Sequence, residues 1–146
     1  MALSAQNPSD RAAQLLALTN RLAQRLADET VMLEAHRPQD LFNGIEETRM
    51  LSNLYRHETT RIKADPSLLA GITQAEKVAL FEATQAFHDN LARYDRAVTA
   101  AKTITEGILT AVAEDMHSRK ATTTIYGAQG RTRNSEPQSL NYSHNA

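Results

Sequence analysis

Residues 73–119 read TQAEKVALFEATQAFHDNLARYDRAVTAAKTITEGILTAVAEDMHSR, with no proline and a single glycine, Gly107. Thr73-Gln74-Ala75-Glu76 is a capping box, in which each end residue can satisfy the other's backbone amide. From there Phe87, Leu91, Tyr94, Val98 and Ala101 alternate spacings of four and three, a heptad seam. Past Ala101 the stripe becomes Ile104, Ile108, Leu109, Val112 and Met116. Apolar residues at this period define a helix face, so one long helix over about 74–119 is expected. A helix of that length needs partners, which the rest of the chain supplies.

Upstream, Asn7-Pro8-Ser9-Asp10 marks a helix start, since proline tolerates the first turn and Ser9 or Asp10 can cap free amides. Leu15, Leu18, Leu22, Leu26 and Leu33 then recur at helical spacing. This predicts a helix over about 9–36, ended by Pro38 because the residue before proline avoids helical geometry. A second helix, about 40–64, starts with Asp40 as cap. Its expected buried stripe is Leu41, Ile45, Leu51, Tyr55 and Ile62, with Thr48 and Glu58 in weaker positions. Asp65-Pro66 ends it, and Leu68 and Leu69 plug the loop that follows.

Short loops between long helices make neighbours antiparallel. The expected fold is all-α: an antiparallel three-helix bundle or coiled coil over 1–120, with a long third helix and a disordered C-terminal tail, 121–146. The tail is rich in Thr, Ser, Asn, Gln and Gly and has almost no apolar periodicity. Composition agrees with helix, because Ala and Leu are plentiful while Gly and Pro number five and four. At about 1.5 Å per residue, helices one to three are roughly 42, 37 and 67 Å long. The third should therefore pass the far end of the bundle near residue 100. Ile104, Ile108, Leu109, Val112 and Met116 would then lack cover from their own chain, which marks a binding strip. A break at Gly107 that folds the strip back, or a helical homodimer, are the alternative fates of these side chains.

Several function classes are excluded. The net charge is −1, against bulk nucleic-acid binding. Residues 1–118 hold 12 of the 16 basic and 16 of the 17 acidic side chains, so the body is acidic and the tail basic. There is no cysteine, hence no disulfide, thiol nucleophile or thiolate metal site. The first residues lack the regions of a signal peptide, and no stretch approaches the apolar length of a membrane span; a cytoplasmic protein is expected.

The five histidines contain no i, i+4 pair, and the Glu-x-x-His pattern of di-metal bundles is not repeated on two helices. Asp28, Glu29, Glu34, Glu46, Glu47, Glu58, Glu82, Asp89, Glu114 and Asp115 read as solvated acids. The Gly127–Gly130 pair follows a helix, not a strand, and lacks the Lys-Ser/Thr of a phosphate loop. No metal, cofactor or catalytic set is indicated, and the chain reads as a non-enzyme.

Residues 124–132, TIYGAQGRT, resemble the Tyr-Gly-x-x-Gly tail motif of FlgN-type flagellar export chaperones, which follows their long third helix. Ile45-Glu46-Glu47-Thr48-Arg49-Met50-Leu51 with Leu54 is similar to that family's acid–basic–Leu pattern in helix two, although the family usually carries Lys close to Thr48-Arg49. The resemblance implies a chaperone that binds hook-associated (hook–filament junction) subunits through their helical terminal segments. It would present them to the flagellar export apparatus. It also implies that partner contact falls on the C-terminal part. Ile104, Ile108, Leu109, Val112 and Met116 would form the strip, Ile125 and Tyr126 fold over as anchors, and Gly127 and Gly130 permit the turn. A structural coiled-coil adaptor or a homodimeric regulator of flagellar assembly is the competing reading.

Overall fold

The structure, a computed structural model, describes the backbone of residues 2–142 and the side chains of residues 2–123. The described chain is helical, without strands, in the order α1 (Pro8–Glu34), a 3-10 turn (Pro38–Asn43), α2 (Ile45–Ala64), a second 3-10 turn (Pro66–Leu69) and α3 (Gln74–Tyr142). It divides into two compact units, Met1–Lys102 and Thr103–Ala146.

In the first unit α1 starts as its sequence suggests, with Pro8 in the first turn. The cap is Asn7, rather than Ser9 or Asp10, and its side chain accepts from the Asp10 amide at 2.8 Å. All five leucines of the α1 stripe are buried. The helix ends at Glu34 in a Schellman arrangement. The Arg37 amide donates to the Met32 carbonyl and the His36 amide to the Leu33 carbonyl, while His36 takes φ +56°.

Asp40 does not cap α2. It lies in the 3-10 turn and pairs with Arg37 at 2.5 Å, while Gly44 stands at the N-cap position without a side-chain bond. The Arg25 guanidinium sits where any Cβ on Gly44 would go, 1.7 Å from it. Glu46 and Glu47 then occupy the first turn and Arg61 and Lys63 the last, complementing the helix dipole.

The expected face of α2 turns inward, but its polar positions are the deepest and Ile45 stays outside. Ile45 is 49% exposed, and Leu41, Leu51, Tyr55 and Ile62 are half-buried, whereas Thr48 and Glu58 are the buried residues. Helix α2 meets α1 through polar contacts, so its innermost positions carry a hydroxyl and a carboxylate. Their partners in α1 are Arg25, Glu29 and Arg11.

The capping box at the start of α3 is present. The Thr73 amide donates to Glu76 Oε2 at 2.6 Å, and the Glu76 amide donates to Thr73 Oγ1 at 3.2 Å. Of the expected seam, Phe87 is buried and Tyr94 and Ala101 half-buried, but Leu91 and Val98 are exposed and Ala83 and Ala97 are buried instead. Small alanines at the contact let the helices approach closely, leaving the larger Leu91 and Val98 on the flank. Leu22, Ala23, Leu26 and Phe87 form the core, with Leu51, Tyr55 and Tyr94 against it. The Tyr55 and Phe87 rings are 4.8 Å apart. Asn90 donates to the Ala23 carbonyl, and Arg93 clamps Glu34 with contacts of 2.6 and 3.1 Å. Ile72 is buried and Leu68 and Leu69 half-buried at the loop. The result is a slim antiparallel three-helix bundle.

In the second unit α3 is unbroken at Gly107, so no fold-back occurs there. Its backbone runs helical to Tyr142, beyond the expected end near Arg119. The side chains of the expected flexible tail from residue 124 lie outside the described residues.

Candidate docking surface

Two buried carboxylates deserve explanation before any surface does, because the sequence reads them as solvated. Glu58 is fully buried and Glu29 nearly so. Glu58 faces Arg11, whose Nη1 donates to Oε2 at 2.9 Å, and its Oε1 accepts from the Leu3 amide at 2.9 Å. His57 and Arg61 lie farther out, at 3.6 and 3.8 Å. Glu29 accepts from the Thr48 hydroxyl, and Arg25 bridges it at 3.4 Å while also donating to Thr48. Tyr94 completes the cluster; burial raises its phenol above the ordinary range and the neighbouring Glu29 charge adds to this. Among the described residues no buried side-chain polar atom lacks a partner. Fully paired charges of this kind hold helices in register. Each is paired within the bundle, and their role is structural.

The signal was available. Arg11 falls on the Leu15–Leu18–Leu22 line and Glu58 on the Leu51–Tyr55–Ile62 line, so both charges stand at inward positions.

No group of three or more His, Asp or Glu side chains able to hold a metal occurs among the described residues. Glu114 and His117 make one Glu-x-x-His pair, with no third ligand. No helix of the described residues is long and apolar enough to cross a membrane.

In the second unit the geometry is simple. Ile104 is 47% exposed, Ile108 59%, Leu109 64%, Val112 50% and Met116 65%. Residues four apart form one ridge on a helix, so Ile104, Ile108, Val112 and Met116 are a single row with Leu109 beside it. Gly107 adjoins the row, and a Cβ there would meet nothing within 4 Å. The polar neighbours are occupied locally: Thr110 donates to the Glu106 carbonyl at 2.9 Å, and Arg119 pairs with Asp115 at 2.9 Å. These contacts leave the apolar row open. Ridges of this spacing interdigitate with a second helix at about −50°, so the row suits a helical partner. Ile125, Tyr126, Gly127 and Gly130, the other expected partner-binding residues, lie outside the described side chains.

No family model matches the chain, and no solved structure matches it. It is 42% identical over 139 residues, 94% of its length and 93% of the relative's, to the flagellar basal-body protein FlbY of Caulobacter vibrioides. Identity at that level along nearly the whole of both chains does not arise from shared helical composition alone. The chain belongs to the family of the flagellar basal-body protein FlbY.

Proposed function

We propose that this protein is a cytoplasmic chaperone of flagellum assembly, which covers the helical terminal segments of hook-associated subunits and delivers them to the export apparatus. The observation that carries the reading is the open row Ile104–Ile108–Val112–Met116, whose side chains are each about half exposed. Burying such a side chain fully is worth about 1.5–3 kcal/mol, enough in sum for a specific helix-in-groove contact. The flagellar family supports the setting, and the Tyr-Gly-x-x-Gly and helix-two motifs support the chaperone role. No catalysis is required of it.

Titration of the purified full chain with a purified hook-associated subunit tests this. Ile108→Asp or Val112→Asp is expected to weaken the complex about a hundredfold or more, from the cost of burying an unpaired carboxylate, with helicity unchanged by circular dichroism. Undiminished binding by both variants removes the row as the site.

A second reading follows from the relative's own name. There the same row would be a permanent contact inside the basal body. Chaperone and structural component separate on isolated hook–basal bodies, which retain the protein only in the second case.

A further inference from the structure

The outward face of α2 carries a feature that the α3 row does not explain. A groove of about 750 Å³ runs along it, lined among the described residues by α2. Its apolar lining is Met50, Leu54 and Ala64, and its basic lining is Arg56, His57 and Arg61. No carboxylate lines it among the described residues. This contrasts with a body in which acids outnumber bases.

The lining positions recur at helical spacing over about four turns, or roughly 21 Å at 1.5 Å per residue. Met50 is 56% exposed, and the His57 and Arg61 side chains are 53% and 43% exposed. Arg56 is oriented by Asn53, whose Oδ1 accepts from Nη2 at 3.2 Å. The carboxylate behind the groove, Glu58, already has Arg11 at 2.9 Å; Arg61 and His57 approach it only at 3.8 and 3.6 Å. A positive charge therefore remains on the groove side.

We infer that this face of α2 is a second docking surface, and that its occupant is an acidic amphipathic helix of a partner protein, about four turns long. The apolar face of such a helix lies on Met50 and Leu54, and its carboxylates meet Arg56 and Arg61. Charge complementarity selects the occupant: a basic or neutral helix would leave the two guanidinium groups facing like charge or nothing. This surface is independent of the α3 row, so either can fail alone.

The test uses fluorescence anisotropy on the full chain. The probe is a labelled helical peptide of about sixteen residues with Leu along one face and Glu elsewhere, and its counterpart carries Lys in place of Glu. The Glu peptide is expected to bind, with affinity falling as salt rises. Met50→Glu and Arg56→Glu should each weaken it about tenfold or more, at unchanged helicity. If Arg56→Glu loses helicity, Arg56→Gln decides the charge contribution. Equal binding of the Lys peptide, parental affinity in both groove variants, or no binding up to about 1 mM overturns the proposal. So does a dimer of the free chain, seen by light scattering, that Met50→Glu dissolves, because the occupant would then be a second copy.

Discussion

At His36 the backbone adopts φ +56°, a left-handed conformation that a side chain with a Cβ enters at a cost of about 1 kcal/mol. The Schellman bonds at the end of α1 require it, since they return the Arg37 and His36 amides to the Met32 and Leu33 carbonyls. His36→Gly removes the strain but adds freedom to the unfolded chain. The balance predicts a gain of about 0.5–1 kcal/mol, measured by urea denaturation. A loss instead would show that the imidazole contributes to the corner between α1 and the Pro38–Asn43 turn. Gly44 is constrained differently, by space: its φ of −131° is open to any residue, but the Arg25 guanidinium occupies the volume a side chain would need.

Among elements, the α1–α2 contact depends on paired charges as much as on leucines. Arg11 and Glu58 are buried at 7% and 0% exposure and meet at 2.9 Å. Deleting one partner leaves the other as an uncompensated buried charge, at a cost of about 3–5 kcal/mol, while an apolar pair of similar volume is often neutral. Glu58→Leu alone should therefore destabilise severely. Arg11→Met with Glu58→Leu should recover most of the loss, as measured in a double-mutant cycle of denaturation midpoints. Additive effects of the two substitutions would mean that the pair does not act as a unit. Helix α3 shows the complementary case: Ala83 and Ala97 are buried along its seam beside Phe87, and Leu91 and Val98 flank it.

Across the whole molecule, acid should act through surface carboxylates held in their charged form. Glu34 is kept below the ordinary range mainly by its hydrogen bonds from Arg93, Glu76 by the Thr73 amide and Asp10 by the Gln6 amide. A carboxylate whose folded value is lowered binds its proton more readily in the unfolded chain. The stability it contributes is present above the ordinary values of 4.5 for Glu and 3.8 for Asp, and is lost as pH falls through the lowered folded values. Glu34→Gln should accordingly melt below the parent at pH 7, and the difference should close as pH drops towards about 2. A constant difference across that range would assign the effect to packing.

The amino-acid order alone determined the helical class, the three long segments, the α1 leucine stripe and the Thr73–Glu76 cap. These rest on local spacing and on backbone amides satisfied within a few residues. It also carried the α3 row. Tertiary structure decided how deep each α2 position lies, that Glu29 and Glu58 are core rather than surface, and that Ala97 takes the place of Val98 in the seam. Those outcomes depend on what stands across the interface. A carboxylate reads as solvated until an arginine from another helix is seen to meet it, and Val98 reads as core until its neighbour Ala97 is seen to face inward.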